Sequence, residues 1–520
     1  MENNLYLSKL SPIWQIIALS TCAFAIIIAC QAYLIPNPLD KFPVVGKGSH
    51  WARKRQFTYG SAWELYLEGY RMIKAGADYF RIATTAPIET IVLSPKFLDE
   101  LKRLPEDVLS LSDATSEILQ TPYTKVPPEV PGFIHTINAS LTPALARLAL
   151  DISQAVRDTM TQELPQAEVW TELKISQYLL RIVSTVSGCV FVGAELCKDE
   201  QYVDMAVNYV VEVMTAARTI LLIPQFIRPF IAPFLPSTKR VKKRLGEATT
   251  ILRRIVEARH RSLADSTATK PDDMLQWLID AQDAVSKVDL NLIAQAQLAA
   301  IFASVHTTSL VTTNAVYTLA SSPEIFSILK EDVKQALQCS EGQFTISSLQ
   351  NMKKVDSFLK EILRFHTLSA TTFNRKVIKP FRLSNGESIP AGVYVQIPAG
   401  VMAFDEDLFS DAKTFNALRF FELQQAKDKE TSHSKAVKSV TSTQLVGVDQ
   451  TNLIWGYGRH TCPGRFFAAN ELKMILAVIL LHYEVKNPPG ITGRHQDLWN
   501  GPYSIPDPEK TIMIRRMDHN

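Results

Sequence analysis

The sequence has few cysteines, and their spacing does not pair them. Only six occur in 520 residues, and none forms a Cys-x-x-Cys pair. This excludes a disulfide framework and a zinc finger, and it indicates a reducing compartment. A basic excess is also missing, because 55 basic residues face 52 acidic residues and leave a net charge of +3. The composition therefore predicts no nucleic-acid partner.

Common motifs for nucleotides and catalytic zinc are absent as well. The chain contains no Walker loop and no His-Glu-x-x-His. Gly456-x-Gly458 is not followed by the third glycine of a dinucleotide fingerprint. The sequence therefore predicts no flavin or nicotinamide site of its own.

Charge is missing altogether between Leu10 and Leu39. An uncharged apolar stretch of this length can cross a bilayer as a helix, and the basic residues after it predict that the rest of the chain is cytoplasmic. We predict a short lumenal N-terminus at 1–9, a transmembrane anchor helix at 10–35, a Pro/Gly hinge at 36–48 and one large domain at 49–520. A cleaved signal peptide is an alternative, although the apolar run exceeds a usual signal core.

Apolar periodicity predicts helices in most of the large domain. Ala62 to Lys74 has the pattern of an amphipathic helix, and long helical patterns fill 140–220 and 238–285. Asn291 to Ser321 is apolar nearly all round, which is typical of a helix through the core. Two β-rich runs near residues 79–93 predict a hairpin. The expected fold is therefore mainly α with small β-sheets.

Two segments have weaker patterns. Glu106 to Gly132 is polar and proline-rich, which predicts a long loop, and loops of this length in a compact domain are usually functional or mobile. Leu221 to Pro236 is apolar but broken by prolines. It is either a buried connector or an apolar flap that contacts a membrane and lines a substrate entrance.

A glycine-punctuated loop at Trp455–Arg465 contains one cysteine and precedes an apolar helix. Cys462 stands at the predicted helix start, where free N–H groups and the helix dipole favour an anionic sulfur. Such a thiolate is either a metal ligand or a nucleophile. A nucleophile needs a general base nearby, so the rest of the chain has to decide between the two.

This loop resembles the signature of the cytochrome P450 family, an aromatic residue followed by Gly-x-Gly-x-His/Arg-x-Cys-x-Gly. Two further stretches match the family and stand in its order: Glu361-Ile-Leu-Arg364 and Phe415-Asn-Ala-Leu-Arg-Phe420. With Ala303 to Thr308 and the anchor, the resemblance spans essentially the whole chain. It implies the cytochrome P450 fold, a single haem-thiolate domain behind the membrane anchor, and haem b (iron protoporphyrin IX) as cofactor.

The resemblance makes Cys462 the axial ligand of the haem iron, where a thiolate favours cleavage of the O–O bond. Gly456 and Gly458 would let the backbone approach the sulfur and the porphyrin, and Trp455 would shield the sulfur from water. His460 and Arg375 are candidates for binding a haem propionate. For these last two, the alternative is a solvated side chain without a role.

Glu361, Arg364 and Arg419 would form a buried cluster that fixes the loop beneath the haem. Glu361 and Arg364 are three residues apart on one helix and face the same way. The alternative is an ordinary surface ion pair, worth less than about 1 kcal/mol. Ala417 replaces the family's proline in this element.

The core helix both matches and departs from the family. Thr307 would hold a hydroxyl beside the haem, although a threonine in a buried helix often bonds back to its own carbonyl. His306 replaces the usual acid and Ser304 the usual glycine. Histidine titrates near neutrality and can relay protons. A further departure lies at His135 to Leu141, where the usual Trp and Arg are missing.

The resemblance implies a monooxygenase that inserts one oxygen atom of O2 into a hydrophobic substrate. It favours the fungal secondary-metabolite type, terpenoid substrates, NADPH-cytochrome P450 reductase as partner and a single-pass position in the endoplasmic reticulum membrane. Two alternatives remain open at this point. One is a reductase-independent isomerase or dehydratase, and the other is a non-catalytic, membrane-tethered haem sensor.

Overall fold

The computed structural model describes residue 20 and residues 38–86, 88–263, 269–283, 288–429 and 442–517. The anchor predicted at 10–35 lies outside this set, apart from residue 20. Among the described residues, no helix is long and apolar enough to cross a membrane.

Helices make up most of the described chain, which confirms the prediction of a mainly α fold. The α-helices are α1 His50–Tyr59, α2 Ala62–Lys74, α3 Leu98–Leu101, α4 Leu111–Leu119, α5 Thr121–Thr124, α6 Phe133–Thr136, α7 Thr142–Glu163, α8 Ile175–Phe191, α9 Glu200–Leu221, α10 Arg228–Ile231, α11 Pro236–Leu263, α12 Met274–Asp283, α13 Leu290–Ser321, α14 Pro323–Gln338, α15 Ile346–Asn351, α16 Lys353–Phe365, α17 Ala399–Met402, α18 Arg419–Lys429 and α19 Arg465–His482. Short 3-10 turns lie at Pro95–Phe97, Ala232–Phe234 and Gly458–His460, and a π-turn lies at Ile137–Leu141.

The strands form small sheets beside the helices. They are β1 Tyr79–Ile82, β2 Thr90–Leu93, β3 Leu109–Ser110, β4 Thr171–Leu173, β5 Thr372–Val377, β6 Phe381–Arg382, β7 Ser388–Ile389, β8 Tyr394–Ile397, β9 Tyr483–Lys486, β10 Asp497–Asn500, β11 Tyr503–Pro506 and β12 Ile512–Arg516. The largest sheet has the order β1-β2-β8-β5-β3, and β1 and β2 pair antiparallel as the predicted hairpin. A second has the order β4-β12-β9.

Helix α13 runs through the core, as its all-round apolar pattern predicted. It packs against α8, α9, α11 and α19. From Val311 to Ala320 every residue is buried. One turn earlier, Ala303 and Thr307 are exposed although they lie in the same central helix. This change in burial marks the side of α13 that faces the cavity described below.

The segment 106–132 is more ordered than the sequence predicted, since it contains β3, α4 and α5. The reason is capping from nearby side chains. Glu106 accepts hydrogen bonds from the N–H groups of Leu111 at 2.6 Å and Ser112 at 2.9 Å, and Ser110 accepts from Asp113 N at 2.9 Å. These bonds satisfy N–H groups that a short helix would otherwise leave unpaired. The expectation of a long loop was wrong in this respect.

Candidate functional site

The cysteine loop is a closed turn held by its own backbone. Gly456 and Gly458 have φ angles of +80° and +71°, a conformation that glycine adopts without steric cost. A side chain at Gly458 would also bring its Cβ within 2.9 Å of Lys102 Cβ. The N–H of Cys462 donates to the carbonyl of Trp455 at 2.7 Å. The two glycines therefore let the chain turn back and fix Cys462 just before α19.

The surroundings of Cys462 are mostly apolar. Burial raises the pKa of the Cys462 thiol, and the N–H groups of Gly464 and Arg465 together with the Arg465 charge oppose that shift only in part. The helix start acts on the sulfur as predicted, but desolvation is the larger effect. A thiolate at this position is therefore stabilised best by a bound cation, which deprotonates a coordinating thiol.

An apolar cavity of about 340 Å³ lies between the cysteine loop and α13. Cys462, Gly464 and Ala468 line one side, and Ala303 and Thr307 line the opposite side. A Cβ built on Gly464 would meet no atom within 4 Å, so the backbone is open to the cavity there. A sulfur donor beside a bare stretch of backbone and facing apolar walls fits a flat, apolar group with a metal at its centre. Haem is such a group.

Arg375 lies on β5 and is buried, with 6% of its surface exposed. Burial lowers the pKa of its guanidinium to about 10. Its Nη1 donates only to the neighbouring carbonyl of Asn374 at 2.9 Å, and the group stacks 4.5 Å from the centroid of the Phe373 ring. A buried cation without a close carboxylate is costly. A haem propionate would supply the missing charge, so the residues present fit the cofactor here too.

His460 lies near the same charged group, half-buried in the cysteine loop. Its Nε2 is 3.0 Å from Arg459 Nε and 3.4 Å from Glu106 Oε2. Burial lowers the pKa of His460, and the charge of Arg375 lowers it further. His460 and Arg459 therefore share one acidic side chain, Glu106, whereas Arg375 forms no ion pair with the described residues.

Trp455 is held in place at the start of the loop. Its indole Nε1 donates to the carbonyl of Leu445 at 2.7 Å, and its side chain lines the cavity with Cys462. This position is compatible with shielding the sulfur from water.

The structure brings Glu361, Arg364 and Arg419 together in the core. Glu361 is fully buried and binds Arg364 with two hydrogen bonds of 2.8 and 2.7 Å. Arg419 Nε lies 3.2 Å from each oxygen of Glu361. The alternative of a surface ion pair is thereby excluded.

The two arginines connect this cluster to the loop that precedes α18. Arg364 donates to the carbonyl of Ala412 at 2.8 Å. Arg419 donates to the carbonyls of Thr414 at 2.8 Å and Asp411 at 3.0 Å. One buried carboxylate thus fixes two arginines, and these fix a stretch of irregular backbone.

On the core helix, Thr307 and His306 face different ways. Thr307 lines the cavity, with its hydroxyl donating to the carbonyl of Ala303 at 2.7 Å. His306 does not line the cavity. Its Nε2 lies 2.9 Å from the carbonyl oxygen of Val207 on α9, and burial lowers its pKa. Ser304 lines the cavity beside Thr307 and donates to the carbonyl of Ala300 at 2.7 Å.

Tyr209 on α9 and Gln295 on α13 are among the polar residues of the cavity that sequence reasoning missed. Gln295 could have been found, because it lies on the stripe of every fourth residue that leads to Thr307. No sequence pattern distinguished Tyr209 from the other residues of its amphipathic helix. In the 135–141 region the cavity is lined by Ile137 and Leu141, and His135 is not among its residues.

Comparisons with known proteins agree with this geometry. The family model described as "Cytochrome P450" matches residues 136–514. The chain is 35% identical over 455 residues to cytochrome P450 monooxygenase ATR3 of Stachybotrys chlorohalonatus, covering 86% of this chain and 94% of that one. It is 31% identical to cytochrome P450 monooxygenase 151 of Postia placenta, covering 95% and 98% of the two chains.

The fold also matches a solved structure, retinoic-acid-bound cyanobacterial CYP120A1. The TM-score is 0.67 at 16% identity, over 92% of this chain and all of that one. The relatives named above are fungal monooxygenases, so they favour the monooxygenase over the isomerase and the sensor. The chain therefore belongs to the cytochrome P450 family, as a haem-binding monooxygenase of the fungal secondary-metabolite type.

Proposed function

We propose that this monooxygenase oxidises a terpenoid or a similarly apolar secondary-metabolite intermediate, with electrons from NADPH-cytochrome P450 reductase. The observation that carries the proposal is the apolar cavity between Cys462 and Thr307. Its walls are mainly aliphatic and aromatic side chains: Leu119, Val126, Val130, Phe133, Ile137, Phe191, Leu298 and Phe302. Such walls select substrates by burial of apolar surface.

The chain's own residues would hold the cofactor from two sides. Cys462 would bind the iron, and Arg375 and His460 would bind the propionates. Glu361, Arg364 and Arg419 would keep the backbone beneath the haem rigid. When bound, haem supplies the activation of O2 that the protein side chains cannot provide.

Thr307 would move protons at the cavity wall. Its hydroxyl is 2.7 Å from the carbonyl of Ala303, and rotation about χ1 can redirect it to a cavity molecule without unfolding the helix. The proposed proton route begins at Thr307 rather than at His306, because the His306 ring is directed to α9. Ser304 and Thr308 also carry hydroxyls and line the cavity beside it.

The proposal also includes binding of the protein to the endoplasmic reticulum membrane. Phe226, Phe230 and Phe234 are 77%, 75% and 71% exposed. Lys239, Arg240 and Lys242 follow them and are exposed. Exposed aromatic side chains beside basic residues suit the surface of an anionic bilayer. This favours the flap over the buried connector for the segment 221–236.

The test is the spectrum of the reduced haem with CO, together with reconstituted turnover. The wild-type protein should give the band of thiolate-ligated haem, and Cys462→Ser should lose it. Cys339→Ser is the matched control, since Cys339 is an exposed free cysteine.

The second experiment is turnover. With reductase and NADPH, the wild type should convert a terpenoid to a product that carries one oxygen atom from ¹⁸O2. A Cys462→Ser protein that keeps the band would refute the ligand assignment, and product formed without O2 would refute the reaction.

A further inference from the structure

Tyr209 lies on α9 with only 4% of its surface exposed, and it lines the cavity. Burial alone raises its pKa, with no contribution from a hydrogen bond or a charge. Among the described residues, its hydroxyl has no hydrogen-bond partner. The oxygen is not one of the fully buried atoms that lack a partner, so it keeps accessible surface toward the cavity. A molecule in the cavity can supply the missing bond.

Gln295 is a second polar side chain on the cavity wall. It lies 12 residues before Thr307 on α13, on the stripe that continues through Ala299 and Ala303. At a rise of 1.5 Å per residue, this places it about 18 Å along the helix from Thr307. In the part of the chain that the structure describes, its amide makes no hydrogen bond.

Three hydroxyls of the cavity wall differ from these two groups, because they are bonded within the protein. Thr124 donates to the carbonyl of Leu119 at 2.9 Å, Ser304 to Ala300 at 2.7 Å and Thr307 to Ala303 at 2.7 Å. Tyr202, two turns before Tyr209 on α9, also has no partner among the residues that the structure describes, but it packs against Gly188 and does not line the cavity. Tyr209 and Gln295 thus combine a free hydrogen-bonding group with access to the cavity.

We infer that the substrate already carries an oxygen function, a hydroxyl or a carbonyl, and that Tyr209 and Gln295 bind it and orient the apolar skeleton. An oxygen held by Gln295 lies at the end of the cavity away from Thr307. This inference rests on the proposed function and adds to it a substrate class. It also places the enzyme after a reaction that introduces the first oxygen into the hydrocarbon.

The test compares two probes with the same C15 carbon skeleton, the alcohol farnesol and the hydrocarbon β-farnesene. Their binding to the full-length haem protein is measured as the substrate-induced change in the haem spectrum. The wild type should bind the alcohol more tightly. Tyr209→Phe and Gln295→Leu should each weaken alcohol binding about 3- to 10-fold, the effect of one lost hydrogen bond. Both should bind the hydrocarbon as the wild type does, and Tyr202→Phe should leave both affinities unchanged.

A wild-type protein that binds β-farnesene as tightly as farnesol, or that binds neither, overturns the inference. An alcohol preference that survives in the Tyr209→Phe/Gln295→Leu double variant overturns it too. Failure of the proposed function has a separate readout, the loss of reductase-dependent oxygenation while the binding spectra are unaffected.

Discussion

The Nε2 atom of His306 lies 2.9 Å from the carbonyl oxygen of Val207. A carbonyl can only accept a hydrogen bond, so Nε2 carries the proton. The bond joins the core helix α13 to α9, the helix that also carries Tyr209. The residue at the position of the family's acid therefore connects two helices of the cavity wall and does not face the cavity.

This bond gives a prediction about pH. Burial lowers the pKa of His306 below its ordinary value, so the unfolded chain binds a proton at a higher pH than the folded protein does. Stability should then be unaffected by this group above about pH 6.5 and should fall as the pH drops below that value, by at most about 1.4 kcal/mol per pH unit. His306→Gln keeps an N–H donor but cannot take up a proton, so its stability should fall less steeply.

The measurement is the free energy of unfolding in urea at pH 7.5, 6.5 and 5.5 for the wild type and the variant. His135→Gln replaces an exposed histidine and serves as the control, with the wild-type pH dependence. If the free energy of unfolding depends on pH equally in the wild type and His306→Gln, the pKa of His306 is not lowered in the folded protein.

Thr307 gives a prediction about coupling between electron use and product. Thr307→Ala removes the hydroxyl proposed to move protons at the cavity wall, so more of the consumed NADPH should appear as hydrogen peroxide. Thr312→Ala is a matched control, because Thr312 lies on the same helix and donates to the carbonyl of Thr308 at 2.8 Å but does not line the cavity. The ratio of peroxide to NADPH should rise several-fold in the first variant and stay at the wild-type value in the second. Equal ratios in both would move the proton route to another residue.

The Glu361 cluster gives a prediction about cofactor retention. Glu361→Gln leaves Arg364 and Arg419 buried without their counter-charge, a change that costs about 3–5 kcal/mol in comparable pairs. We expect lower thermal stability and a smaller haem-to-protein ratio after purification. Glu324→Gln removes the same charge at an exposed helix start and should change stability by less than about 0.5 kcal/mol. A Glu361→Gln protein with full haem content would show that the cluster does not support the cofactor.

The sequence alone predicts elements whose cause is local. Helix α2 has the predicted bounds Ala62–Lys74 because one apolar stripe and a serine cap define it. Helix α13 differs by one residue from its predicted start at Asn291. The apolar stripe of residues 347–366 predicts one amphipathic helix, but Met352 breaks it with ψ of 67°, so that α15 and α16 are separate. Asp332 on α14 accepts from the N–H groups of Lys354 and Val355. A contact from another helix thus decides this boundary, and no local pattern encodes it.

The same limit applies to the site. Glu361 and Arg364 could be paired because one helix fixes their spacing, and Cys462 could be found because it lies in a glycine-punctuated loop. Arg419, 58 residues after Glu361, entered the cluster only through the resemblance to the family. The direction of the His306 side chain could not be predicted. Adjacent residues on a helix point about 100° apart, and the sequence does not say which of them faces the cavity. Which of His306 and Thr307 faces the cavity depends on where α9 packs. Whether the hydroxyl of Tyr209 has a hydrogen-bond partner likewise depends on which residues pack around it.

The exposed apolar side chains before α11 give a prediction about membrane binding. A protein that lacks residues 1–37 should still bind vesicles of phosphatidylcholine and phosphatidylserine through Phe226, Phe230 and Phe234. Full burial of one phenylalanine side chain stabilises by about 1.5–3 kcal/mol, so the Phe226→Ser/Phe230→Ser variant should bind at least about 10-fold more weakly. Val169→Ser/Ile491→Ser removes exposed apolar side chains elsewhere and should bind like the parent. Vesicle flotation measures the binding of all three proteins, and equal binding would show that the flap has no role at the membrane.

Replacing Lys239, Arg240 and Lys242 by Gln should weaken binding only to vesicles that contain phosphatidylserine, because these charges act on anionic headgroups.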